Sequence, residues 1–152
     1  MEDEAVNILG ENRTMAISTL RSDGWPQTTI VGYANDGLTI YFMIFRSSQK
    51  FANIANDDRV SIAVGKEPAD LRVAKAVFAA AFASEVSEPI ERDHAWRLLM
   101  QRHPDLVGRA IPNQSVAAMM RAECRHVSVL DYSKGLGHAD ALHLSTETEG
   151  EP

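Results

Sequence analysis

Residues 38–45 read LTIYFMIF, an almost unbroken apolar run. Eight residues are too few for a stable helix, and turn formers flank them: Asn35-Asp36-Gly37 in front, Arg46-Ser47-Ser48 behind. Such a run is a strand. Because polar and apolar residues do not alternate in it, both of its faces must leave water. The chain therefore has to fold so that one strand is covered on two sides.

The segments before it set up a meander. Residues 14–20 read as a strand, Asp23-Gly24 as a turn, and residues 27–33 as a second strand held extended from Pro26 onward. After the apolar run the period changes. Phe51, Ile54 and Ala55 predict a helix over 47–56, capped by Ser47 or Ser48 and ended by Asp57-Asp58. Residues 59–65 alternate again. Residues 71–86 predict a bent strand, or a hairpin turning near Pro68-Ala69-Asp70, with Ala79-Ala80-Ala81 undecided between helix and strand. Ser87-Glu88-Pro89 opens a helix that stops at His103, before Pro104. Asn113 is placed to cap a short helix carrying Val116, Met119 and Met120. Residues 125–131 read as the last clear strand, 134–138 as a loop and 141–144 as a short strand. Residues 1–10 have helical spacing, with Ala5, Val6 and Leu9 on one side. The expectation is a mainly β chain with flanking helices, six or seven strands and three or four helices, in a single domain over 1–152.

A length of 152 residues suits one domain that buries a real core. The formal charge is −6, but Glu2, Asp3, Glu4, Glu147, Glu149 and Glu151 carry the excess; without them 15 acids face 15 bases. The ends read as solvated, with an acidic tail over 145–152. No basic cluster is dense enough for several phosphates, so nucleic acid is not an expected partner. The longest apolar run is too short to span a bilayer, and the opening residues are acidic rather than basic, so no membrane partner and a cytoplasmic location are expected. Cys124, the single cysteine, excludes an intrachain disulfide; Arg121 and Arg125 beside it could favour a thiolate, whereas a buried thiol is the plainer expectation.

Chemistry concentrates in Arg46-Ser47-Ser48-Gln49-Lys50. There a buried strand ends, and two hydroxyls and two cations meet a helix N-terminus, whose free N–H groups and dipole favour an anion. Arg46 can grip a phosphate with two bonds and Lys50 can add a point charge. Gly135-Leu136-Gly137-His138 permits close backbone approach to a ligand, without the spacing of a dinucleotide loop. His94 and His103 fall on opposing helix faces, and His126, His138 and His143 lie in strand or loop. No pair has the helical spacing of a zinc site, so no metal is expected. Without a Gly-x-Ser-x-Gly elbow or an acid–base constellation, catalytic side chains stay unassigned, and a cofactor that carries its own chemistry fits best.

Several pieces together resemble the pyridoxamine-phosphate-oxidase-like, FMN-binding split-barrel family. They are Met15-Ala16-Ile17-Ser18-Thr19-Leu20, then Asp23-Gly24-Trp25-Pro26-Gln27, the strand into Arg46-Ser47-Ser48-Gln49-Lys50 with Asn53 one turn on, and Asp57-Asp58-Arg59-Val60-Ser61. The resemblance spans about residues 5–132. It implies a six-stranded antiparallel split barrel with flanking helices, acting as a homodimer with FMN sites at the interface. It also implies phosphate binding by Arg46, Ser47, Ser48 and Lys50. The flavin ring would be lined, largely through backbone, by Thr28, Thr29, Ile30 and Val31 and by Met43 and Ile44. The implied activity is that of a flavin-dependent oxidoreductase on an unknown small-molecule substrate. The C-terminal Arg-Leu-x-Pro-type tail of true pyridoxamine phosphate oxidases is replaced by Leu142-His143-Leu144-Ser145-Thr146, so that particular oxidation is not expected. Arg125 and the 135–138 loop are the nearest substrate-side candidates. Relatives that use deazaflavin or haem leave two further cofactors open, haem through His138 or His143. A haem-degrading protein and a non-enzymatic, stress-related flavin module remain as alternative functions.

Overall fold

The structure, a computed structural model, describes residues 1–144. The acidic tail expected over 145–152 lies outside them. Three helices and eight strands follow one another as α1 (Glu2–Gly10), β1 (Thr14–Leu20), β2 (Pro26–Gly32), β3 (Ala34–Asp36), β4 (Thr39–Phe45), α2 (Gln49–Asn56), β5 (Arg59–Gly65), β6 (Lys75–Glu85), α3 (Pro89–Arg102), β7 (Ala117–Asp131) and β8 (Ala139–His143). All strand pairs are antiparallel. The sheet order is β2-β1-β5-β6-β7-β4-β3, and β8 adds to the half of β7 that β4 leaves free. The sheet curls until β2 comes back beside β4 without pairing to it. The result is a split barrel of eight strands rather than six. The difference comes from β3, three residues inside what reads as a turn, and from β8 beyond the barrel proper.

The apolar run behaves as its composition demands over Ile40–Ile44, whereas Phe45 at its end is 63% exposed. Ile40, Phe42 and Ile44 of β4 enter the main core with Met15, Ile17, Ile62 and Val127. Tyr41 and Met43 face the other way, into a second core formed by Trp96 and Leu99 of α3. Helix α1 closes the main core with Ala5, Ile8 and Leu9. Arg102 ties the helices together: its guanidinium donates to the carbonyls of Leu9 (3.0 Å) and Asn12 (3.1 Å) and to the Asn35 side chain (2.9 Å). It thus joins the Tyr33 hydroxyl, which donates to the same Leu9 carbonyl (2.6 Å), in holding the end of α1.

Two expectations need correction. Met119 and Met120 do not lie on a helix. β7 begins at Ala117, and Asn113 instead holds a turn, its Oδ1 accepting from the Ser115 amide and hydroxyl, both at 2.8 Å. In β7, flanked by β6 and β4, four successive residues from Ala117 to Met120 are buried; neighbours on both faces erase the alternation that a strand normally prints. Likewise, residues 71–86 are not strand throughout, although β5 and β6 do pair as an antiparallel hairpin whose connection, residues 66–74, contains Pro68-Ala69-Asp70. A short 3₁₀ turn over Leu71–Val73, capped by Asp70, leads into β6, where Ala79, Ala81 and Ala83 face inward and settle the undecided alanines as strand. Among the described residues no helix is long and apolar enough to cross a membrane.

Candidate functional site

Three features of the barrel can take a ligand. The first is the seam between β2 and β4. β2 pairs only with β1, so its other edge is open. β4 pairs with β3 only through Thr39–Tyr41, which leaves residues 42–45 open on the same side. Open edges carry unpaired N–H and C=O groups. Along β2, Thr28 and Ile30 face outward and are exposed, whereas Thr29 and Val31 turn inward and are half-buried. The Thr29 hydroxyl oxygen is buried and has no hydrogen-bond partner among the described residues. A cleft of about 300 Å³ opens where Gly32 and Met43 meet Trp96, Leu99 and His103. A Cβ at Gly32 would sit 3.0 Å from the His103 ring, so any side chain there would require the ring to give by a few tenths of an ångström. Ile44 is buried in the core, so only its backbone can reach a ligand.

The seam runs into the second feature, the start of α2. Ser48 caps it: its hydroxyl accepts from the Phe51 amide (3.2 Å) and donates to the Phe45 carbonyl (2.7 Å). Ser47 is exposed and Lys50 half-exposed. Arg46 is already engaged. Its guanidinium makes a two-pronged pair with Glu85 (2.9 and 2.5 Å), donates to the Gln114 carbonyl, and lies 5.4 Å from the centre of the Phe51 ring. These bonds hold the Glu85 carboxyl below its ordinary value. Asn53, one turn on, is buried and structural. Its amide donates to Thr19 Oγ1 (2.9 Å) and Gln27 Oε1 (3.2 Å), while its oxygen accepts from Gln49 (2.8 Å). Asn53→Ala would leave the buried Thr19 hydroxyl unpaired. A loss of about 1–3 kcal/mol of stability is expected by chemical denaturation, with α2 detached from β1 and β2.

The third feature, a cleft of about 670 Å³, lies on the outer face of the sheet. Ser18, Arg59, Ser61, Phe82, Arg125 and His126 line it, with Leu144 at one side. A β-bulge explains two of these. The β6–β7 register slips between Ala80 and Ala81, where Ala80 faces His126 and Ala81 faces Cys124, leaving Arg125 as the extra residue. Consecutive residues at a bulge need not alternate, so Arg125 and His126 both reach the cleft. Arg125 lies over the half-exposed Phe82 ring at 5.3 Å, and its Nε has no partner among the described residues.

The structure thus brings Thr28–Val31 and Met43–Ile44 to one seam, with Arg46–Lys50 at its continuation. It does not leave Arg46 or the Ser48 hydroxyl free for a phosphate. Among the remaining candidates, His138 faces the Asp140 carboxylate (3.1 Å), and Lys134 before it pairs with Glu4 (2.9 Å). Gly135 and Gly137 take positive φ there, 136° and 79°, which favours glycine. Cys124 is buried, and desolvation pushes its thiol up to about 11, so it is not the thiolate its arginine neighbours suggested. Sequence reasoning missed Glu85, Phe82 and the cleft itself. Each depends on cross-strand register, and the undecided period around Ala79-Ala80-Ala81 left Phe78 and Phe82 without an assigned face.

A search of curated proteins finds no match. Among solved structures, a haem-binding protein from Mycobacterium smegmatis superposes with a TM-score of 0.80 at 20% identity, over 93% of this chain and 57% of that one. The chain thus spans little more than half the length of that neighbour. An FAD-binding protein from Mesorhizobium loti gives 0.67 at 22% identity, over 83% and 91% of the two chains. HutZ, the haem storage protein from Vibrio cholerae, gives 0.68 at 17%, over 82% and 89%. Identities this low establish the shared split-barrel fold. The family model for pyridoxamine 5'-phosphate oxidase matches residues 1–132, close to the span over which the sequence motifs run, and the chain belongs to that family.

Proposed function

We propose that the chain is an FMN-binding oxidoreductase that acts as a homodimer on a small-molecule substrate. The observation that carries this reading is the pair of open strand edges at the seam, leading directly into the N-terminus of α2. A flat heteroaromatic ring with its own N–H and C=O groups can be held by such edges without polar side chains. The unpartnered Thr29 hydroxyl would offer one further bond. At the start of α2, the Ser47 hydroxyl, the free amides and Lys50 would meet the phosphate. Ser48 serves by fixing the cap, and Arg46 by shaping the loop while paired with Glu85. When bound, the flavin supplies hydride chemistry; the side chains of this protein bind it, orient it and keep water out. The outward Thr28 and Ile30 would stand between the seam and the outer-face cleft, where Arg125 and Phe82 suit a substrate that is planar and anionic.

A second reading is favoured by that cleft. Its arginines, its apolar wall and His126 would also suit haem, with the propionates toward the guanidiniums, and two structural neighbours are named as haem proteins. The absorbance spectrum of the purified protein, with mass spectrometry of whatever co-purifies, separates the two. The expected result is a flavin spectrum, or its appearance on adding FMN, with bleaching by a nicotinamide cofactor marking an enzyme rather than a flavin store. A Soret band would replace this reading with the haem one. A shifted, deazaflavin-type spectrum would change the cofactor. A colourless protein that takes up no FMN would overturn the proposal.

A further inference from the structure

Strand β8 pairs with β7 so that His143 lies directly opposite His126. The two rings meet edge to face, their centroids 4.7 Å apart and their planes at 78°. The Nδ1 atoms face each other at 2.5 Å. Two imidazole nitrogens in that position can share a single proton, one donating and the other accepting. Once the donating ring carries its proton on Nε2 instead, both Nδ1 lone pairs face the same gap, which is what a chelating pair requires. We propose that His126 and His143 form a bidentate site for a borderline divalent transition-metal ion, Zn²⁺, Ni²⁺ or Cu²⁺.

The backbone fixes the pair on either side. Val127 pairs with Leu142, and the Leu144 amide donates to the Arg125 carbonyl at 2.7 Å. Cross-strand partners of this kind hold their Cβ atoms about 5 Å apart. Zinc–imidazole bonds are about 2.0–2.1 Å long. Placing an ion between the nitrogens therefore requires the rings to part by under about 1 Å from their present contact, by side-chain rotation. Both residues are exposed, so the rings have room to turn. The neighbouring cation is drawn aside: the Arg125 guanidinium lies over Phe82 and reaches toward Glu123 at 3.6 Å.

Among the described residues no cluster of three or more metal-ligating side chains exists. The ion would thus keep open positions for water or for an oxygen donor in the adjoining cleft, whose wall His126 also forms. Two imidazoles select the ion class. Mg²⁺ and Ca²⁺ take oxygen ligands and are excluded, whereas Cu²⁺ should bind tightest, as the general affinity order requires. The site does not depend on whether flavin binds at the seam. Helical spacing could not reveal it, because the two histidines stand 17 residues apart and only the hairpin register brings them together.

The test is isothermal titration of the full-length, untagged, metal-free protein with Zn²⁺, Ni²⁺, Cu²⁺ and, as a control, Mg²⁺. One ion per chain is expected for the first three and none for Mg²⁺. Even the loss of a ligand's outer-shell partner typically costs about 10- to 100-fold in metal affinity, so His126→Ala and His143→Ala should each weaken binding by at least that much. His94→Ala, whose ring faces Asp36 elsewhere on the surface, should leave it unchanged. Electron paramagnetic resonance of the Cu²⁺ form should show coupling to two nitrogens, reduced in either variant. Circular dichroism reports whether each variant keeps its fold, and His126→Gln carries the test should an alanine variant lose it. No stoichiometric binding, or binding that survives His126→Ala/His143→Ala, would overturn the proposal.

Discussion

Lys50→Ala should weaken FMN binding by about 10- to 100-fold, the equivalent of one hydrogen bond to a charged group, without a measurable change in unfolding temperature. Lys50 is half-exposed at the N-terminus of α2 and makes no ion pair among the described residues, so removing its charge takes nothing from the fold. Arg46→Ala should behave in the opposite way. Its guanidinium is held by Glu85, by the Gln114 carbonyl and by the face of Phe51. About a third of each partner of the ion pair remains in water, which discounts the pair. A partly exposed pair plus one cation–π contact contributes modestly, read as a slightly lower unfolding temperature. The pH dependence has a definite sign. Because the Glu85 carboxyl is held below its ordinary value, its contribution is present at neutral pH and is lost as pH falls through the carboxylate range. Glu85→Gln extends the comparison. It releases the guanidinium from its counter-charge, so FMN affinity should rise. Equilibrium titration by flavin fluorescence, alongside thermal unfolding, separates the two roles. Equal affinity losses for Lys50→Ala and Arg46→Ala at unchanged stability would show Arg46 to be a phosphate ligand after all.

That contrast marks where the sequence stops being legible. Two-faced burial of the 38–45 run is read from its composition alone, and Ile40–Ile44 of β4 do divide between two cores. The cap at Ser48 follows from local spacing, because a capping hydroxyl and the amide it serves are three residues apart. The engagement of Arg46 does not follow. Its partner stands 39 residues away on β6, and a charged residue at a strand end prints no local sign of what faces it. The same limit hid the bulge. An extra residue in β7 is defined only against the register of β6, so the sequence shows Arg125 and His126 as neighbours of opposite facing rather than as two walls of one cleft. Met119 and Met120 failed for a different reason. Where a strand is covered on both sides its apolar residues stop alternating, and methionine has helical propensity enough to suggest the wrong element. Asn53 was legible as a motif position, but its buried role required knowing that α2 lies against β1 and β2.

Phe78→Asp should convert the proposed homodimer into a monomer and remove the flavin with it. The outer sheet face carries a row that is too apolar for a surface in water. Ile30, Ala16, Ala63 and Phe78 are aligned across β2, β1, β5 and β6 by their pairing, with Ile30 69% and Phe78 45% exposed. Phe82 continues the face beside the large cleft at 41%. An apolar stripe rimmed by polar residues such as Ser18, Thr28, Ser61 and Ser128 has the make-up of a contact surface between proteins. The occupant proposed for it is a second copy of this chain, since a two-fold contact places the same patch on both sides. A carboxylate at position 78 would then be buried in the contact without a partner, at a cost of several kcal/mol per ion. Light scattering on a size-exclusion column should report twice the 16.7 kDa chain mass for the parent protein and a single chain mass for the variant. The position is half-exposed in the single chain, so the variant should still fold, and circular dichroism confirms this independently. If the seam of one copy needs the outer face of the other to complete the cofactor site, FMN affinity and dimerisation should fall together. A parent protein that is monomeric at micromolar concentration, or a monomeric variant that keeps full FMN affinity, would refute the shared site.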